Sequence, residues 1–253
     1  MKGSKVYFGT VLIVVSFLLV YFFITDVAKL LDPVIFPPLL KILSTFVESL
    51  PDLFLSVFSS LRLLIPSYFG AAFAGISLGL IIGLNPRLTK TFRPIIFALN
   101  PIPPSMLTPY MIAIMPTFYF ASVGIIFIAC FWPFLNGTLN GIYVIDQKYL
   151  DNAKILDLTG LKRIRYVILP AAAPSILSGA GSALNLSFIM LAVAEMFAVD
   201  SGIGHFIQYY ADFSDYARVI SGIIFLGIFT VTVMMIFQQI KKRILFWTLN
   251  ENK

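Results

Sequence analysis

Five stretches of this chain hold no Asp, Glu, Lys or Arg: residues 6–24, 63–85, 94–145, 166–194 and 219–240. A helix needs about 20 apolar residues to cross the hydrocarbon core of a bilayer. Four of the stretches supply one crossing each, and 94–145 is long enough for two. The pattern predicts an all-α integral membrane protein with about six transmembrane helices. In 94–145 the opening Asn100-Pro101-Ile102-Pro103-Pro104, with Pro109 and Pro116, predicts that the first of its two spans is broken or kinked. Gly70, Gly75, Gly79 and Gly83 in 63–85 suit close helix packing.

Composition agrees: the chain is 59% hydrophobic and 12% charged, against about 25% charged in ordinary soluble domains. The net charge of +6 does not form a patch interleaved with aromatics, so nucleic acid is not an expected partner. One Cys, Cys130, rules out an internal disulfide, and one His, His205, rules out a His-based metal cluster. Residues 6–24 are long for a signal peptide, and Thr25-Asp26-Val27 is not a small-residue cleavage site, so they are taken as the first span.

Basic residues set the orientation. With the N-terminus inside, the outer side keeps only Lys29, Lys41, Arg62 and Arg218 of the 18 Lys and Arg, and both chain ends lie in the cytoplasm. Residues 39–50 place Leu39, Leu40, Leu43, Phe46, Val47 and Leu50 at helical spacing. They form either a helix lying in the outer interface or one packed on the bundle.

Residues 146–165 make a polar inner loop of about 20 residues, a length uncommon without a role. Residues 151–156 read as a helical turn or two. Asp157-Leu158-Thr159-Gly160 reads as a break, since Gly accepts the positive φ that ends a helix. Residues 161–168 read as a second short helix, with Leu161, Ile164, Val167 and Ile168 on one face and Lys162, Arg163 and Arg165 on the other. Two short helices of this kind form a lever; the bland alternative is a solvated basic loop that fixes topology.

Asp151-Asn152-Ala153, then Asp157, then Val167-Ile168-Leu169-Pro170 resembles the EAA loop of binding-protein-dependent ABC importer permeases. That pattern is Glu-Ala-Ala, three residues, Gly, then about ten residues to a hydrophobic-Leu-Pro. The likeness continues through Ala171-Ala172-Ala173-Pro174, Ala194-Glu195-Met196 and the Gly-hydrophobic-Gly turn at Gly202-Ile203-Gly204. Upstream, Ser60-Leu61-Arg62, Ile102-Pro103 with Pro109, and Phe131-Trp132-Pro133 also fit, so roughly residues 55–240 are covered. The subgroup it resembles is the permeases for nitrate, sulfonates, taurine and related small compounds. Four departures stand out. Asp151 replaces Glu and Asn152 replaces Ala. Asp157 occupies the expected Gly position, so either the helix break shifts to Gly160 or Asp157 caps the second helix. Pro116-Thr117-Phe118-Tyr119 stands where Gly-x-Gly-Glu is expected.

The resemblance implies a type I ABC importer-like permease fold, a single transmembrane domain over 1–253. Its core is roughly 55–240, and 1–54 add an N-terminal helix and the outer interfacial segment. It implies that Asp151, Ala153, Asp157, Gly160, Leu161, Arg165 and Pro170 belong to a coupling loop seated in a cytoplasmic ATPase, with Pro170 a fixed start for span five. No Gly-x4-Gly-Lys-Ser/Thr stretch exists here, so ATP and Mg would be held by the partner ATPase and this chain is not expected to be an enzyme. Further implied partners are a second permease copy or paralogue, an extracytoplasmic substrate-binding protein, and the lipid of a prokaryotic inner membrane.

Within the spans, Ser178, Ser182 and Asn185 share a helical face beside Gly181, which lines the translocation pathway or lets helices approach. Asn100, Ser105 and Thr108 in the broken span can face the same cavity, where freed helix ends hold a small anion. Glu195, the one acidic residue well inside the apolar pattern, is either on that pathway or a structural hydrogen-bonding group. The rival reading, a secondary transporter or channel without an ATPase, predicts buried charge pairs and inverted repeats, which the sequence does not show.

Overall fold

The computed structural model describes residues 2–197 and 199–249, and every regular element among them is helical. In chain order these are α1 (Lys2–Phe22), α2 (Leu39–Gly83), α3 (Pro86–Leu99), α4 (Thr108–Ile114), α5 (Phe118–Tyr143), α6 (Gln147–Ile155), α7 (Gly160–Arg163), α8 (Leu169–Phe197), α9 (Ile203–Asp212) and α10 (Tyr216–Ile244). A π turn, Ile164–Ile168, joins α7 to α8, so helical structure is continuous over Gly160–Phe197. Among the described residues, four helices are long and apolar enough to cross a membrane: Leu39–Gly83, Phe118–Tyr143, Gly160–Phe197 and Tyr216–Ile244. Val11–Val27 adds a shorter apolar one.

The core is built on α5. Lipid tails are as apolar as Leu, so helices in a bilayer associate through close van der Waals contact rather than through water exclusion. Small residues supply that contact on two faces of α5. A methyl added at Gly75, Gly79 or Gly83 of α2 would lie 2.7 Å from Phe134, 2.6 Å from Thr138 or 2.6 Å from Ile142. On the other face, one added at Gly137 would lie 2.9 Å from the Ser175 carbonyl of α8, and one at Gly141 2.9 Å from Ala172. Gly70, grouped with the others by spacing, has room, with Phe127 3.6 Å away. Tyr68 ties α2 to α8 by donating its hydroxyl to the Ala180 carbonyl at 2.9 Å.

The expected break after residue 94 is present, between α3 and α4. Prolines 101, 103 and 104 carry no N–H, and Pro103 is extended before Pro104, so α-helix stops at Leu99 and, after a 3-10 turn over Pro104–Leu107, restarts at Thr108. Ile96 of α3 packs with Ile82 and Leu135 at the Gly83 end of the bundle, whereas Met111 of α4 packs in the central core with Ile125. Prolines inside long helices are also accommodated. Pro66 cannot donate to the Arg62 carbonyl, and the Tyr119 hydroxyl donates to it instead at 3.2 Å. Tyr119 belongs to the stretch that departs from the Gly-x-Gly-Glu pattern. Its neighbour Thr117 caps α5 by accepting the Phe120 N–H at 3.3 Å.

One expectation is corrected. Residues 39–50 are not a separate helix lying at an interface but the start of the 45-residue α2. Its buried face is Ile42, Thr45, Ser49 and Leu53, while Leu40, Leu43 and Val47 are exposed. Ser221 of α10 donates to the Ile42 carbonyl at 3.5 Å, and Leu53 packs with Ile203, Phe206 and Phe225. The packed alternative therefore holds. By contrast α1 stands apart: Val11, Ile13, Phe17 and Leu19 are exposed. Its end is tied down by Tyr21, which donates to the Pro37 carbonyl at 2.8 Å, and by Asp26, which accepts the Leu39 N–H at 3.0 Å.

Gly79→Leu should lower stability by about 1–3 kcal/mol through overpacking against Thr138. Gly70→Ala should be nearly neutral. Thermal unfolding midpoints in one detergent check the contrast.

Candidate functional site

The loop after α5 begins with a capped helix. Asp146 accepts the Lys148 N–H at 2.9 Å and so satisfies a free donor of α6. Asp151 accepts from Lys154 at 2.9 Å and from Gln147 at 3.1 Å, along one exposed face. The Lys154 ammonium, then Gln147, hold the Asp151 carboxyl below its ordinary range. A depressed carboxylate stabilises the folded state above the ordinary range and loses that contribution only as pH falls through the lowered value.

The joint resolves the two alternatives raised by Asp157. Its N–H donates to the Lys154 carbonyl at 3.1 Å, and the Leu158 N–H donates to the Ala153 carbonyl at 2.9 Å. This is a Schellman ending with Asp157 in the left-handed region at φ 49°. The break therefore stays at Asp157, which takes the conformation ordinarily reserved for Gly. No side chain caps the next helix at Thr159, so Asp157 is not its cap. Gly160 also has positive φ, 54°, with open space around it.

The expected second short helix is corrected too: it is the leading end of the α8 rod rather than a free element. Pro170 has no N–H to give the Tyr166 carbonyl, and just before it the helix widens into the π turn, where Leu169 N–H bonds back to Ile164. Ala153 is 1% exposed beneath α6. With Tyr166, Pro170, Ala171 and Trp247 it lines a cavity of about 660 Å³. The tip of the loop is the opposite: Ile155, Leu156 and Leu161 are 79%, 68% and 83% exposed. Arg165 is exposed and lies over the Tyr166 ring, 5.8 Å from its centroid.

At the other end of α8, Glu195 is fully buried. Its Oε2 accepts the Gly204 N–H at 2.7 Å, and Ser60 Oγ of α2 accepts the Ile203 N–H at 3.2 Å beside the same carboxylate. Both donors lie in the first turn of α9, where free N–H groups and the helix dipole favour negative charge. The Gly-x-Gly turn follows from this packing. Gly202 has φ 117° and any side chain there would collide with the Glu195 carboxyl, while a methyl on Gly204 would lie 2.8 Å from Glu195 Cβ. The α9 helix itself escaped the sequence reading, although Ile203, Phe206, Ile207 and Tyr210 repeat at helical spacing.

The polar residues of the spans do not all meet. Ser178 and Ser182 line a cavity of about 310 Å³ with Asn136, Gly137, Asn140 and Gly179. Asn136 donates to Asn100 Oδ1 at 3.1 Å, which joins the broken span to α5. Asn185 is exposed, and Gly181 faces Phe237 of α10 at 3.2 Å. Ser105 is half-buried and Thr108 is buried, its hydroxyl without a partner among the described residues. Asn136 and Asn140 were missed; two amides four apart inside an apolar run were the available signal.

A multi-pass helical bundle with an exposed, jointed loop rooted in one of its longest spans defines a membrane-embedded transport component. Residues 71–246 match the family model described as binding-protein-dependent transport system inner membrane component, and the chain belongs to that family. It is 34% identical over 176 residues to the nitrate import permease protein of Leptolyngbya laminosa, covering 70% of this chain and 63% of the relative. It is 31% identical to the bicarbonate transport system permease protein of Synechococcus elongatus, with coverages of 69% and 63%. It is 27% identical to the taurine transport system permease protein of Escherichia coli K12, with coverages of 75% and 69%. The chain thus spans 63% of the length of the nitrate and bicarbonate relatives.

Glu195→Ala should cost about 1–3 kcal/mol by leaving the Gly204 N–H buried and unpaired, and Glu195→Gln less, because its amide oxygen still accepts. Gly202→Ala should also destabilise. Thermal midpoints of the three variants in detergent give the order.

Proposed function

We propose that this chain is the membrane-spanning permease of an ATP-driven importer that moves a small anionic solute across the prokaryotic inner membrane by alternating access. The observation that carries the reading is the exposed apolar tip Ile155, Leu156 and Leu161, mounted on a rod that runs from Gly160 through Phe197. Exposed apolar side chains beside the basic Lys162, Arg163 and Arg165 favour a protein partner over lipid or water.

In this reading the chain is one permease domain over 1–253. It crosses six times, through α1, the later half of α2, the broken α3–α4 pair, α5, α8 and α10, with both ends cytoplasmic. Residues 146–168 then face the cytoplasm and seat in a separate ATPase that holds ATP and Mg. Asp151 stiffens α6, Asp157 and Gly160 form the joint, Ala153 lets α6 lie close to α8, and Pro170 marks the root of the span. Leu161 and Arg165 meet the ATPase. An external binding protein delivers solute, and a second permease copy or paralogue completes the pathway. Asn100, Ser105, Thr108, Ser178, Ser182 and Asn185 line that pathway, whereas Glu195 holds the α8–α9 corner. The relatives' named solutes, nitrate, bicarbonate and taurine, all carry a small oxyanion group.

A cytoplasmic ATPase should co-purify with the tagged chain. Leu161→Asp, on the surface, should leave the thermal midpoint unchanged and cut solute uptake about tenfold or more in proteoliposomes while ATP hydrolysis persists. Normal uptake with that variant would remove the lever assignment.

A further inference from the structure

The last long helix is held unevenly. Its buried residues, Ala217, Ser221, Gly222 and Phe225, all fall within Tyr216–Phe225 at the start of α10. From Leu226 through Ile244 no residue is buried, although Phe229, Val233 and Phe237 pack against the central core. The next buried side chain is Leu245, 8% exposed, where α10 ends. A 3-10 turn, Phe246–Leu249, follows and brings Trp247 to the cavity of about 660 Å³ between α6 and the root of α8. Among the described residues lining that cavity, all but Trp247 come from the stretch 144–174. The free end of α10 and the loop before α8 therefore meet there.

The indole is large, rigid and mostly apolar, so it gains most from lying against apolar and aromatic surface. Tyr149 of α6 and Tyr166, Pro170 and Pro174 at the root of α8 supply that surface. Trp247 is 40% exposed, against 65% for Phe246 beside it. The volume of the cavity gives α6 room to close toward the ring without a clash. We propose that Trp247 is a positioning residue that ties the inner end of α10 to the coupling loop. Motion of α6 then reaches α10 through the indole as well as α8 through the continuous helix. One loop drives two spans, and the half of α10 that lacks buried residues follows the loop. The inference rests on the permease reading above. The competing role is a Trp that only anchors the chain at a membrane–water boundary, which leaves α6 and α10 unlinked.

The test follows pairs of spin labels by double electron–electron resonance. The chain is held with its ATPase in nanodiscs, nucleotide-free and vanadate-trapped. Lys148→Cys on α6, Lys242→Cys on α10 and Lys41→Cys at the far end of α2 carry the labels, and all three lysines are exposed. Cys130 is buried and takes no label. Trapping should move both Lys148 and Lys242 against Lys41 while the Lys148–Lys242 distance stays constant. With Trp247→Ala that distance should shift on trapping by about 2 Å or more, and Trp247→Phe should behave as the wild type. A Lys148–Lys242 distance that changes in the wild type would overturn the inference. So would one that stays constant with Trp247→Ala in an assembled complex, or a Trp247→Phe variant that behaves as Trp247→Ala does. Two other results sink the permease reading instead: a wild-type chain that co-elutes with no ATPase, and trapping that moves neither label against Lys41.

Discussion

Everything in this bundle depends on how closely α5 can be approached. Without water to drive helices together inside a bilayer, attraction comes from backbone and side-chain surfaces in direct contact. Gly75, Gly79 and Gly83 bring α2 onto Phe134, Thr138 and Ile142, and Gly137 and Gly141 bring α8 onto the opposite flank. With two flanks clamped, the remaining face of α5 is left to Asn136 and Asn140. The polar cavities lie along that side, where Asn100 at the end of α3 bonds to Asn136 and Ser178 and Ser182 of α8 face Asn136 and Asn140.

The α8 rod connects two sites of opposite character. At its leading end the loop is exposed, jointed and held by few contacts beyond Ala153. At its far end Glu195, Ser60 and the first turn of α9 form a buried hydrogen-bonded corner. A push on the loop therefore meets a rigid element anchored at a distance rather than a hinge. The 45 residues of α2 extend roughly 67 Å at 1.5 Å per residue, about twice the roughly 30 Å hydrocarbon core. Part of α2 therefore continues past the crossing, and with α9 and α10 it encloses the cluster around Leu53.

Much of this was legible in the residues. Charge-free runs located the four long apolar helices, clustered prolines located the interruption between α3 and α4, and the polar interval before residue 166 located the loop. What escaped depended on distant partners or on local rules that context overrode. Ser60 and Ile203 are far apart in sequence, so nothing local tells that one caps the other. Residues 39–50 looked like a separate amphipathic helix from their spacing, yet α2 runs on through Pro51 as one helix. Asp157 looked like a displaced glycine site, but two backbone hydrogen bonds hold it in a left-handed conformation that its own preferences would avoid. Gly70 matched the spacing of its neighbours, but it faces the edge of the Phe127 ring at 3.6 Å rather than a tight contact.

The π turn at Ile164–Ile168 accommodates one residue more than an α-helical turn would. Each residue of an α-helix advances roughly 100° around the axis. The surplus residue therefore puts Leu161 and Lys162 out of phase with the faces of α8 by about that angle. Extrapolating the stripes of the span backwards would assign the loop's side chains to the wrong directions. Insertions or deletions at this turn would act as a rotation of the loop tip, while the membrane-embedded part of the rod kept its own packing.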